Sequence, residues 1–212
     1  MARYLMTHSL VSSWLYVFSD FEKYIHDESE KTAEDYQQAA QRDFLATLRR
    51  EPTTTTEAMQ NGIDLENLVA SVCAGEPQPE HKWLGAAREI AQEVAGGQFQ
   101  VPVQKDIEVS GLQILLYGRI DCLKAGNIID IKYTSKYEAG KYYGSPQHHF
   151  YMEMAPEAGR FTYLVSNGSR VWREDYAREE CRPAAGIIGG FLEYLKTAGL
   201  LATYMENWRA KE

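Results

Sequence analysis

With 212 residues and 44% apolar side chains, the chain is long enough to bury a substantial core, most simply as one domain over residues 1–212. Three cysteines, odd in number and without a Cys-x-x-Cys spacing, fit free thiols in a reducing, cytoplasmic setting better than a disulfide framework. A net charge of −8 argues against broad contact with polyanions, so any such contact has to be a local basic surface.

The first apolar segment, Leu10 to Phe18, is broken by Ser12 and Ser13 and followed by Asp20 and Glu22. It is too short for a membrane span and lacks a signal peptide's small-residue cleavage site, so no membrane association is expected. Apolar positions 11, 14, 15 and 18 predict a core helix within 8–30, and a second helix is expected at 32–50. The loop Glu51-Pro52-Thr53-Thr54-Thr55-Thr56 leads to a helix at 57–73, with Thr54-x-x-Glu57 as its capping box, and a further helix at 82–95 completes a helical part over about 1–95. Strands are expected at 101–109, 112–123 and 128–134, then a helix at 146–155 with Ser145 as N-cap, Pro146 at the first helical position and Pro156 as the stop. Asn167-Gly168 is a favoured hairpin turn between strands at 160–166 and 169–174, so the sheet core spans about 100–175. Apolar pairs at 187/188, 191/192 and 195, then 201, 204/205 and 208, predict C-terminal helices over about 183–210, broken near Gly199. The chain therefore reads as an α/β protein with a central mixed sheet flanked by helices.

The hairpin around Lys124-Ala125-Gly126-Asn127 carries the most chemistry. Its strands hold Gly118-Arg119-Ile120-Asp121 and Ile129-Asp130-Ile131-Lys132. Side chains alternate with period 2, so Asp130 and Lys132 share one face while Ile129, Ile131 and Tyr133 take the other. A turn centred on Ala125-Gly126 sets Asp121 opposite Asp130; one centred on Gly126-Asn127 sets it opposite Lys132. Either even-length loop puts all three on one face. Two carboxylates so placed have Cβ atoms roughly 5 Å apart and repel, and a divalent cation between them is the simplest resolution.

Two helices offer further groups. Leu65, Leu68, Val69 and Val72 form the stripe of an amphipathic helix, and Glu66 borders that stripe. Gln147 and Tyr151, four apart, share a face of the 146–155 helix, with Gln147 in the first turn, where unpaired N–H groups attract phosphate. Each fragment alone is cheap: Glu80-His81-Lys82 has the same acid-x-Lys form in a Pro-rich loop. The information lies in their order over about ninety residues.

That order resembles the PD-(D/E)XK nuclease superfamily, specifically its RecB-like, phage (lambda-type) exonuclease branch. Gly62-x-x-x-Glu66 is similar to the first motif, Gly118-Arg119-x-Asp121 to the second, Asp130-x-Lys132 to the third and Gln147-x-x-x-Tyr151 to the RecB-type helix motif; with the opening Thr7-His8-Ser9-x-x-Ser12-Ser13-Trp14 the likeness covers residues 7 to about 175. Many RecB-type members have a His where this chain has Glu66, so the first motif follows the lambda-exonuclease pattern. The resemblance implies a restriction-endonuclease-like core, with catalytic Glu66, Asp121, Asp130 and Lys132. It also implies one or two Mg2+ or Mn2+ ions on Glu66, Asp121, Asp130 and the Ile131 carbonyl. Lys132 would orient or deprotonate water, or neutralise phosphate, and Gln147 and Tyr151 would bind phosphate or an outer-shell water. Some relatives hold an iron–sulfur cluster on four cysteines; with only Cys73, Cys122 and Cys181, none is expected here.

The implied substrate is DNA, cut in recombination or repair in a bacterial or phage-infected cell. An end-directed exonuclease working beside a phage single-strand-annealing protein, as a homo-oligomer or not, is the expected setting. Between residues 117 and 151, Arg119, Lys124, Lys132, Lys136 and Lys141 outnumber Asp121, Asp130 and Glu138. Arg119, Lys136 and Lys141 join Gln147 and Tyr151 as substrate-binding candidates, and Tyr133, Tyr137, Tyr142, Tyr143 and Phe150 interleave with the bases as in surfaces that also stack on nucleotides. No Walker A sequence is present, so any unwinding motor is a separate protein. The competing reading is a catalytically inactive nuclease-fold module that binds nucleic acid or protein.

Overall fold

The computed structural model describes residues 2–25, 31–78 and 80–211. β1 (Arg3–Met6) leads into α1 (His8–Tyr16), and α2 (Ala33–Leu48), α3 (Glu57–Cys73) and α4 (Leu84–Val94) precede β2 (Gln98–Val109), β3 (Leu112–Lys124) and β4 (Asn127–Tyr133). Then come α5 (Pro146–Met154), β5 (Arg160–Ser166), β6 (Val171–Ala177), α6 (Ala184–Thr197) and α7 (Leu201–Asn207). The strands form one mixed sheet in the order β1-β3-β4-β5-β6, with β2 also paired to β3. β1/β3 and β4/β5 run parallel; β3/β4 and β5/β6 run antiparallel. This is the expected α/β arrangement of a mixed sheet with flanking helices. Among the described residues, no helix is long and apolar enough to cross a membrane.

The differences from expectation are local. The helix expected over 8–30 ends at Tyr16; Asp20 then accepts from Glu22 N–H, starting a short 3-10 turn at Glu22–Tyr24, and residues 26–30 lie outside the described residues. α3 is capped by Thr56, whose hydroxyl accepts from Met59 N–H, and not by a Thr54 box; the reciprocal box sits on α2, between Thr32 and Asp35. β1 has no counterpart in the sequence reading, because four residues with two buried give too little periodicity to see.

The residues divide into two compact units, with β2 and β3 each contributing to both. In the unit of residues 1–53, 104–117 and 183–212, β1 lies on Gln113 to Leu116 of β3, and α1, α2, α6 and α7 bury Leu10, Phe44, Leu48, Ile188, Phe191 and Leu195. Two backbone carbonyls are held by side chains from the C-terminal segment: Trp208 Nε1 donates to Leu48 O and the Tyr204 hydroxyl to Leu5 O.

The unit of residues 54–103 and 118–182 holds every candidate site residue. α3 and α4 pack Leu65, Val69, Trp83, Ile90 and Val94 against Ile129, Ile131 and Leu164. The strand alternation turns Asp130 away from that cluster, and α5 packs against β5. Ser145 caps α5 by accepting from Gln147 N–H. The β5–β6 turn is clamped by Trp83: Gly168 has φ +89°, and a Cβ there would run into the indole ring. Gly168→Ala therefore combines a strained backbone with a clash in a packed core, and is expected to cost about 1–3 kcal/mol, read as a lower denaturation midpoint with an unchanged denaturant slope.

Candidate functional site

The hairpin register is the one that opposes the two acids. Lys124 pairs with Asn127 and Cys122 with Ile129, so the loop is Ala125-Gly126, at φ +49° and +73° as a type I′ turn requires. Continued one step, this register sets Asp121 across from Asp130. The ladder nevertheless stops at Cys122–Ile129. Beyond it, side chains take over the backbone's bonds. Asp121 Oδ2 accepts from Ile131 N–H at 2.9 Å. The Tyr151 hydroxyl donates to Arg119 O at 2.7 Å and accepts from Arg119 N–H at 3.2 Å. Gly118 makes this possible, since a Cβ there would lie 2.6 Å from Tyr151 Cε1. The two strands thus fork at the acidic pair.

Asp130, 5% exposed, is held from two sides. Gln147 Nε2 donates to Oδ1 at 2.5 Å, and Lys132 Nζ lies 2.8 Å from Oδ2. The lysine contact is a charge-assisted pair, so both Asp130 oxygens are engaged by protein groups. Glu66 comes from α3, on the Ile131 side of the sheet, yet feels the charges of both Asp130 and Lys132.

The charges in this pocket do not balance. Burial, then the charges of Asp130 and Glu66, pushes the Asp121 carboxyl up to about 8, against the pull of Lys132 and the Ile131 N–H. Burial and Asp130 likewise raise Glu66, with Lys132 opposing. Burial works against the Lys132 ammonium, but Asp130, Asp121 and Tyr142 more than offset it and hold its pKa above the lysine range. Three acids against one ammonium leave the site short of positive charge, which protons or a cation have to supply. All-oxygen donors and an excess of acids over the one ammonium fit a hard divalent cation. The side chains are not drawn into a closed set: among the described residues, no three His, Cys, Asp or Glu gather closely enough to hold a metal ion.

The remaining predicted residues separate into buried and exposed. Gln147 is committed to Asp130 and Tyr151 to the Arg119 backbone, so both act on the protein here. The Arg119 and Lys136 side chains are exposed, while Lys141 Nζ donates to Thr134 Oγ1 at 2.6 Å and Lys136 O at 3.0 Å. His148 does not add to the basic surface: it stacks on Tyr176 at 4.2 Å, and burial, with His149 behind it, lowers its pKa to about 3.

One residue escaped the sequence reading. Glu174, 8% exposed, accepts from Tyr142 N–H and the Tyr176 hydroxyl through Oε2. It continues a row across the sheet, since Asp130 pairs with Tyr163 and Tyr163 with Glu174. Tyr142 stacks on Tyr163 at 4.6 Å; burial, with Asp130 and Glu174 behind it, pushes its phenol up to about 12 against the pull of Lys132. The signal available for Glu174 was alternation in β6, where Trp172, Glu174 and Tyr176 share a face.

No protein-family model matches the chain, and no curated protein matches it. Among solved structures, the crystal structure of SSO0001 is similar with a TM-score of 0.51 at 13% identity, covering 92% of this chain and 75% of that one. At that identity the likeness is one of fold alone.

The displaced Asp121 carboxyl has a consequence for stability. Its folded pKa lies above the value of 3.8 for an ordinary aspartate, so without a cation the folded state holds the extra proton between about pH 4 and 8. The stabilisation is complete below pH 4 and is lost as pH rises towards 8. Asp121→Asn, which keeps an acceptor for Ile131 N–H, is expected to gain on the order of 2 kcal/mol at pH 8 and nothing near pH 4, measured by urea unfolding in EDTA.

Proposed function

We propose that the chain is a divalent-metal-dependent deoxyribonuclease of the PD-(D/E)XK type, with a restriction-endonuclease-like core. The observation that carries this reading is the forked end of the β3–β4 hairpin, where Asp121, Asp130 and Lys132 meet within electrostatic reach of Glu66. Glu66, Asp121, Asp130 and the Ile131 carbonyl would hold Mg2+ or Mn2+. Bound there, the cation would lower the pKa of an attacking water and offset charge on the phosphorane-like transition state.

The chain's own residues do the rest. Gln147 fixes the orientation of Asp130 through Oδ1, while Lys132 holds its Oδ2. Lys132, kept charged by its ion pair, is suited to orienting water and neutralising the scissile phosphate more than to removing a proton. Exposed Arg119 and Lys136 supply charge for the nucleic-acid backbone. By resemblance, the action is exonucleolytic, at DNA ends in recombination or repair, beside a strand-annealing protein.

One observation favours the second reading, a nucleic-acid-binding module without catalysis. Lys132 and Gln147 already occupy Asp130, and the acids are not gathered as a ligand set. The two readings separate on end-labelled linear and covalently closed circular DNA incubated with Mg2+, Mn2+ or EDTA. Wild type is expected to degrade linear DNA only with a metal. Asp130→Asn and Lys132→Ala are each expected to lose activity by at least about 10²-fold while keeping the wild-type denaturation midpoint within a few degrees. DNA bound but uncut under every condition would establish the binding module instead.

A further inference from the structure

Five aromatic rings interleave with basic residues between 133 and 150, and the structure sorts them sharply. Tyr133 packs on Trp83 at 4.8 Å, Tyr137 on Trp172 at 4.9 Å and Tyr142 on Tyr163 at 4.6 Å, while Phe150 is fully buried. Tyr143 is 71% exposed, the most exposed large apolar side chain among the described residues. It rides on a strap, residues 134–145, between β4 and α5.

That strap is tied down at several points. The stacks of Tyr137 and Tyr142 fix two of its rings on β6 and β5. Tyr142 N–H donates to the buried Glu174, Lys141 closes the strap on Thr134 and Lys136, and Tyr143 N–H itself bonds Gly140 O at 3.0 Å. The anchored backbone has already lost its conformational freedom, so only the two torsions of the ring remain to be ordered when it binds. Exposed Lys136 and Lys141 share the strap with it, against Glu138, leaving the strap locally basic in an acidic protein.

We infer that Tyr143 is a stacking platform for an unstacked base at a single-stranded nucleic-acid end, with Lys136 against the adjoining phosphate. This rests on the nucleic-acid part of the reading above and narrows it to a substrate form. A base inside a duplex has both faces covered by its neighbours, so only a single-stranded or frayed base can lie on the ring. The position is apt. Tyr142, the preceding residue, stacks on Tyr163, the strand neighbour of Asp130, so the strap that carries Tyr143 lies beside the acidic fork.

The test uses a short single-stranded oligodeoxynucleotide ending in 2-aminopurine and its blunt duplex, titrated with the full chain in EDTA so that nothing is cut. Wild type is expected to bind the single strand and quench the 2-aminopurine. Tyr143→Ala should weaken that binding at least about tenfold and abolish the quench without changing the salt slope, whereas Tyr143→Trp should retain both. Lys136→Ala should reduce the salt slope by about 0.7 and keep the quench. Unchanged affinity in Tyr143→Ala, equal dependence of duplex binding on Tyr143, or no binding of either probe would overturn the inference. Parallel digestion with Mg2+ or Mn2+ keeps the two claims apart. Tyr143-dependent binding without cutting removes the nuclease and leaves the platform; metal-dependent cutting with Tyr143-independent binding does the reverse.

Discussion

Everything at the candidate site depends on the early end of one hydrogen-bonded ladder. β3 and β4 pair only from Cys122 and Ile129 towards the turn, and backbone groups beyond that point need other partners. Asp121 provides one, reaching Ile131 N–H, while Tyr151 holds both polar groups of Arg119. Were the ladder continuous, Ile131 N–H would be spent within the sheet and the Asp121 carboxylate would lack its one backbone anchor. Gly118 is part of the same arrangement, because only an absent side chain lets the Tyr151 ring lie against β3.

The fork also concentrates charge in a place that stability alone would not select. Two partly or wholly buried carboxylates and a third nearby oppose one ammonium, and the charge of Asp130 raises the proton affinity of both Asp121 and Glu66. Such a site stores unfavourable electrostatics that the surrounding core has to carry, chiefly the α3–α4 cluster beneath Ile129 and Ile131. Strain of this kind gathers where chemistry or ligand binding takes place.

Much of this was legible from residue patterns because strand alternation and turn chemistry are local. Ala125-Gly126 at positive φ was one of two registers the sequence allowed, and both placed Asp121, Asp130 and Lys132 on one face. The Leu65/Val69 stripe located α3 and the position of Glu66 at its border, and Ser145-Pro146 located the start of α5. What stayed hidden was non-local. Nothing near Gln147 or Tyr151 says that their polar ends turn inward to Asp130 and Arg119. Nothing near Glu174 says that a strap whose Tyr142 lies 32 residues earlier folds back onto it through Tyr142 N–H. β1 was missed for the opposite reason, being too short to show a period at all.

The four tryptophans fall two to each unit, and their surroundings differ enough to be told apart optically. Trp14 and Trp208 lie among the helices and β1 of one unit; Trp83 sits under the Gly168 turn and Trp172 against Tyr137 in the other. Chains keeping a single indole would therefore emit from known addresses. Trp172 would act as a built-in fluorophore for the strap, while Trp83 would watch the sheet beneath it.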